Sequence, residues 1–305
     1  MSDSLSPMST TSEAPFGRVL TAMATAFHDD GSVDLDGTAR IATHLVDHGH
    51  DGIVVSGTTG ESPTTTPAED GEILAAVKDA VGDRAKIVAG IGTNDTRNTV
   101  ELAKQAASIG ADGLLLVTPY YNKPGERGIR EHFRTVVSAT DTPVILYDVP
   151  GRTGSPITLD TYREAITWDT VVAVKEAAGD FPRGTRLLDL GYSIYSGDDA
   201  LTLAWLAHGA VGVISVAAHV LGDQTRTMID AFAASDIETA RKTYARMLPA
   251  IDAIMGVPNY GATTAKAALE LTGVIDNRNV RGPLVALDDD EVEALRAGLE
   301  ASGLL

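Results

Sequence analysis

Short apolar runs alternate along this chain with longer stretches whose apolar residues recur every three to four positions. The runs fall at 19–25, 52–56, 86–91, 113–118, 144–149, 171–175, 193–196 and 211–216, and are dominated by Val, Ile, Leu and small residues. Apolar runs this short predict strands buried on both faces. Between them, 35–48, 69–81, 96–109, 128–139 and 201–208 carry the spacing of amphipathic helices. A strand and a helix in turn, roughly every 20 to 35 residues, make parallel βαβ units. Eight such units fit a closed (β/α)8 TIM barrel better than an open doubly wound sheet.

After the eighth run the pattern changes. Segments 225–234, 237–255, 262–271 and 289–298 all read as helices with no strand between them. The predicted organisation is a tail over 1–15, a catalytic barrel over 16–234 and a C-terminal helical domain over 235–305. The opening MSDSLSPMSTTSEAP lacks the basic and apolar regions of a secretion signal. Its Ser, Thr and Pro content predicts a disordered tail, and a cytoplasmic location follows as the default. Asp288, Asp289 and Asp290 precede the last helix, where acids complement the helix dipole.

Composition narrows the function. Of 305 residues, 44% are hydrophobic and 22% charged, which suits a globular core, and no apolar run approaches a membrane span. The formal net charge of -18 argues against gripping nucleic acid or an anionic membrane. The chain has no Cys, which excludes disulfides, thiolate catalysis and Cys-type zinc sites. His44 and His48 have a chelating spacing, but they belong to the first outer helix, far from the predicted mouth, where packing is the better reading.

In a (β/α)8 barrel, reactive groups stand at the C-terminal ends of the strands. Lys175 ends the run VVAVK. If Val171, Ala173 and Lys175 share one face, as a two-residue period requires, the amine is delivered into a dry interior. Burial there favours the neutral, nucleophilic form. A lone strand-ending lysine more often reaches out to solvent; the other strand ends argue otherwise. Ile145 and Tyr147 share a face, so Tyr147 points to the same interior, whereas Leu146 and Asp148 point to the helices. A phenol beside a buried amine is equipped to move the protons of imine chemistry.

The loop Gly57 to Ser62, GTTGES, forms a nest suited to a carboxylate. Arg152, in the loop after the fifth strand, stands where its guanidinium can fork onto another. Tyr120 and Tyr121 follow the fourth strand in a Pro-bounded loop, and Gly197, Asp198 and Ile214 complete the rim.

The ordered motifs GTTGES, TPYYNKP, YDVPGRTG, VKEAAG, SGDD and GVISV resemble the dihydrodipicolinate synthase family from about Phe16 to the C-terminus. This family belongs to the pyruvate-dependent class I aldolases that include N-acetylneuraminate lyase. The resemblance implies a Schiff-base condensation of pyruvate with aspartate 4-semialdehyde, without metal or organic cofactor, in a homotetramer built as a dimer of dimers. It assigns the Schiff base to Lys175 and proton transfer to Tyr147. Thr58 and Tyr121 complete a relay, Tyr121 reaching in from a neighbouring subunit. It has Thr59, Gly197 and Ile214 hold the pyruvate moiety, and Arg152 receive the carboxylate of aspartate semialdehyde.

There are departures from the pattern. Asp148 stands where relatives commonly carry Asn, which should alter support more than chemistry. Pro67 and Asp70 stand where lysine-inhibited members tend to carry His, although Tyr120 and Asn94 are retained, so feedback by lysine is expected to be weak or absent. The rival activity is a lyase releasing pyruvate from a sugar acid; it would use the same Lys175 and Tyr147, but Arg152 suits a carboxylate-bearing partner. A catalytically silent, pyruvate-binding barrel would need a broken relay, and every member of it is present.

Overall fold

The computed structural model describes residues 14–305; most of the predicted tail lies outside them. Eight parallel strands close into a barrel in sequence order: β1 (Val19–Ala22), β2 (Gly52–Val55), β3 (Lys86–Gly90), β4 (Gly113–Val117), β5 (Val144–Asp148), β6 (Val171–Glu176), β7 (Ser193–Ser196) and β8 (Gly212–Ser215). The ring closes where Leu20 pairs with Ile214.

Helices α1 (Leu35–Asp47), α2 (Pro67–Val81), α3 (Thr96–Ile109) and α4 (Gly125–Val137) follow the first four strands. The short helices α5 (Pro150–Thr153), α6 (Leu159–Ala165), α7 (Phe181–Asp189) and α8 (Thr202–Ala207) follow the next three. In α1, Thr38, Ile41, Ala42 and Leu45 are buried, the three-and-four spacing of a single apolar stripe. Asp34 caps its start by accepting from the Gly37 N–H at 2.7 Å. Thr66 and Glu69 make a reciprocal capping box on α2.

Six of the strands end one residue or more earlier than the apolar runs suggest, while β7 ends with its run and β6 continues to Glu176. The difference is largest in β1, where Thr25 has left the ladder and donates its hydroxyl to the Gly60 carbonyl at 2.9 Å.

The strands separate two apolar layers. Inside, Leu20, Val54, Val88, Leu115, Ile145 and Ala173 fill the barrel. Phe16 and Tyr195 plug its N-terminal end, the Tyr195 hydroxyl accepting from the Phe16 N–H at 3.1 Å and donating to the Gly17 carbonyl at 2.9 Å. The barrel interior opens at its C-terminal mouth. Outside, Ile53, Val55, Leu114, Leu146 and Val174 pack on the helices.

After β8 come α9 (Ala218–Ala233), α10 (Ile237–Met255), α11 (Ala262–Leu271) and α12 (Asp289–Ala301). Their apolar faces join Val19 and Val213 of the barrel wall in one further core. The C-terminal helices are thus welded to the β8–β1 side. Asp288 caps α12 and shares a capping box with Glu291.

Close packing reaches the rim. An added Cβ on Gly90, at the end of β3, would stand 2.3 Å from the Ser56 carbonyl oxygen and 2.9 Å from the Gly57 nitrogen. Gly90→Ala is therefore expected to displace the loop after β2 and cost about 1–3 kcal/mol, read as a lower urea midpoint. An unchanged midpoint would show slack that this packing does not contain.

Candidate functional site

The centre of the mouth is made by β5 and β6. Their register places Tyr147 abreast of Lys175 and Ile145 abreast of Ala173. The register slips between Val144 and Ile145, so that Val171 pairs with Val144 and Val172 is the extra residue. This corrects one expectation. Val171 packs outward with the helix layer while Ala173 and Lys175 face inward, because the bulge breaks the two-residue period.

Lys175 is 4% exposed, and its Nζ lies 4.4 Å from the centroid of the Tyr147 ring. Burial pulls its pKa down to about 8; the Asp199 carboxylate opposes the fall and the Arg152 guanidinium adds to it. Tyr147 is 8% exposed, and burial pushes its phenol up to about 12, eased by Arg152 and reinforced by Tyr260. A small cavity of about 150 Å³ opens onto both residues. Thr58, Thr59, Arg152 and Gly197 also line it, so the ends of β2, β5, β6 and β7 converge on one space.

Asp199 follows β7 and bridges to β8. It accepts from the Ser215 hydroxyl and from the Val216 and Ala217 N–H groups, each of the latter at 3.0 Å. Burial raises its pKa against those bonds. The DD of SGDD hinted at such a group without saying which acid is buried.

The nest loop is held from the far end of the chain. Glu61 is buried; its Oε1 accepts from Lys266 Nζ at 2.5 Å and its Oε2 from the Arg281 N–H at 2.8 Å. Lys266 also donates to the Asn279 carbonyl at 2.7 Å and lies over the Phe27 ring. Burial lowers its pKa to about 8, while Glu61 opposes the shift. Removing either partner would strand a buried charge, so the pair ties the loop firmly to α11. The only sequence signal was a lysine inside the apolar stretch ATTAKAAL.

The remaining candidates divide between two spaces. Thr58, Tyr147 and Arg152 also border a wider groove of about 890 Å³, shared with Tyr120 and Tyr121. Tyr121 is 88% exposed and holds φ at +71°, a strained setting for a tyrosine. Ile214 is buried in the barrel interior, and Val216 forms the cavity wall on that side. Arg152 lies on the one-turn α5 with its guanidinium 4.8 Å from the Tyr260 ring centroid. Pro67 opens α2 and gives its carbonyl to Gln105, while Asp70 accepts from the Thr65 hydroxyl at 2.8 Å.

His44 and His48 are engaged elsewhere. Their rings lie 4.2 Å apart, and they donate to the carbonyls of His219 and His44 respectively. Among the described residues no helix is long and apolar enough to cross a membrane.

Comparison with known proteins shows the family to which the chain belongs. A family model for the Dihydrodipicolinate synthetase family matches residues 15–302. The 4-hydroxy-tetrahydrodipicolinate synthase of Acidothermus cellulolyticus is 53% identical over 293 residues, covering 95% of this chain and 94% of that protein. The crystal structure of the enzyme from Cyanidioschyzon merolae with lysine bound superposes with a TM-score of 0.92 at 39% identity, over 96% of this chain and 100% of that one. A chloride-inhibited dihydrodipicolinate synthase from Acinetobacter baumannii, complexed with pyruvate, superposes with a TM-score of 0.90 at 33% identity, over 96% of this chain and 100% of that one.

Behind Tyr147 and Lys175, on the helix-facing side of the same strands, Asp148 and Glu176 are register partners. Arg183 of α7 pairs with each at 2.9 Å. The Tyr162 hydroxyl donates to Asp148 at 3.2 Å, and the Gly179 N–H to Glu176 at 3.0 Å. Two buried carboxylates thus share one guanidinium. Burial pushes Asp148 up to about 6 from its ordinary 3.8, against the pull of Arg183.

A raised carboxyl pKa contributes stability that is complete below the unfolded value and lost as pH rises through the folded one, here near 6. Asp148→Asn imitates the neutral acid. It is expected to raise the unfolding midpoint at pH 8 by the equivalent of about 1–3 kcal/mol, with the gain vanishing near pH 4. Destabilisation at pH 8 would contradict this account of the trio.

Proposed function

Because the chain belongs to the dihydrodipicolinate synthetase family, we infer that it is a lyase of the class I aldolase type, which condenses pyruvate with aspartate 4-semialdehyde to 4-hydroxy-tetrahydrodipicolinate in lysine and diaminopimelate biosynthesis. The observation that carries the site assignment is the buried Lys175 amine over the Tyr147 ring at the open end of a closed barrel.

The chemistry follows from the two side chains. With a pKa near 8, about a tenth of Lys175 is neutral at pH 7, some 300-fold more than for a lysine at 10.5. The neutral amine adds to the ketone carbon of pyruvate. Tyr147, held protonated by its raised pKa, gives its proton to the carbinolamine hydroxyl, which leaves as water. The iminium then withdraws electrons, so a methyl proton departs to the relay and an enamine forms. The enamine carbon attacks the aldehyde carbon of the second substrate, and its oxygen takes up a proton. Ring closure by the substrate's amine displaces Lys175 and restores the enzyme.

Thr58 passes protons between Tyr147 and solvent, while Thr59, Gly197 and Ile214 shape the pyruvate end and Arg152 receives the second carboxylate. Tyr121 comes from a second copy of the chain, within the dimer of dimers that the family resemblance implies; its exposed ring beside the wide groove supports contact with that copy. The barrel over 16–234 carries the chemistry, and the helices over 235–305 brace it. A cytoplasmic location suits this reaction.

Incubation with pyruvate and reduction with borohydride should place the adduct on the peptide containing Lys175 alone. Lys175→Ala should form none, and Tyr147→Phe should lower kcat by about 100-fold or more. An adduct on another lysine, or full activity in Tyr147→Phe, would overturn the assignment.

A further inference from the structure

Arg152 is an exposed residue that nonetheless borders the reacting cavity, and it is held differently from four partly buried arginines. Arg183, Arg226, Arg278 and Arg281 each pair with a carboxylate. Among the described residues Arg152 has no such partner; its guanidinium carbon lies 4.8 Å from the Tyr260 ring centroid. Its own helix is a single turn without a side-chain cap. Nothing on α5 fixes the long side chain.

We propose that Tyr260 is a positioning residue for the second substrate, its ring holding the Arg152 guanidinium over the cavity so that this group meets the carboxylate of the aldehyde. The inference rests on the role given to Arg152 above. A guanidinium held over a ring face is not paired with a carboxylate, so it can still offer the N–H fork that a substrate carboxylate requires. A carboxylate partner from the protein would instead occupy those donors. Tyr260 and Arg152 line the same cavity as Lys175 and Tyr147.

The turn that carries Tyr260 is anchored on both sides. Asn259 donates its side-chain amide to the Val285 carbonyl at 3.1 Å, and the Asn259 carbonyl accepts from the Thr263 hydroxyl at 2.5 Å. Gly261 holds φ at +114°, and an added Cβ there would stand 4.0 Å from Arg152 Nη2. A side chain at 261 would be strained, so the turn beside the guanidinium depends on glycine. Tyr260 also contributes to the raised pKa of Tyr147, as expected of a phenol close to the reacting centre. Thus the C-terminal segment shapes the specificity side of the mouth as well as bracing the nest.

The test compares Tyr260→Leu, Tyr260→Phe and Arg152→Ala in the full-length enzyme. Tyr260→Leu should raise KM for aspartate semialdehyde about three- to fivefold, the equivalent of about 0.7–1 kcal/mol, with KM for pyruvate and the borohydride adduct unchanged. Tyr260→Phe, which keeps the ring, should keep the parent's KM for the aldehyde. On Arg152→Ala, adding Tyr260→Leu should change nothing further. The proposal is overturned if Tyr260→Leu leaves KM for the aldehyde unchanged or raises both KM values alike. Tyr260→Phe matching the Leu variant, or additive effects with Arg152→Ala, would overturn it equally. Should Tyr260→Leu fail to fold, Tyr260→Gln makes the same comparison. A parent enzyme that forms no adduct on Lys175 would sink the reaction assignment itself, a separate outcome.

Discussion

The structure depends on the parallel pairing of β5 with β6, which sets a phenol and an amine side by side inside a sealed wall. Parallel strands joined by outer helices expose their C-terminal ends together, so one register match fixes both groups at the same height. The plug of Phe16 and Tyr195 closes the other end and keeps the interior dry below them. Dryness is what changes the amine. An ammonium surrendered by water is costly, and the group responds by giving up its proton at a lower pH.

That cost is balanced rather than left to run. Asp199 draws the pKa of Lys175 back up, while Arg152 pushes it down from the mouth. The Tyr147 ring presents its electron-rich face to the same nitrogen, which favours the charged form. The amine is left mostly protonated near neutrality but with a useful neutral fraction. The same tension recurs behind the wall, where Asp148 and Glu176 share Arg183, and in the loop, where Lys266 answers Glu61. Each buried charge at this site is matched by a group from another element, so the reacting geometry and the fold brace one another.

Much of this was legible in the chain. The eight strands and the inward placement of Lys175 and Tyr147 follow from apolar runs and side-chain alternation, both of which are local. The bulge at Val172 was not legible, since register between strands is a relation between two segments and leaves no mark on either. Helices α5, α6 and α7 were not among the predicted stretches; a four-residue turn begun by Pro150, or a helix of seven, shows too little period to stand out. The partners of Glu61, Asp148 and Arg152 lie as much as 220 residues away, at Arg281. A tyrosine in VPNYGA has nothing local to connect it with an arginine in PGRTG. Only folding brings those residues together.

The central claim is that the Lys175 amine loses its proton near pH 8 because it is buried beside Tyr147. The most direct test is the initial rate of borohydride-trapped imine formation with pyruvate, followed from pH 6 to about pH 10.5. The account predicts a rise that levels off with a midpoint near 8. A rate still climbing at the ordinary lysine value of about 10.4 would contradict it.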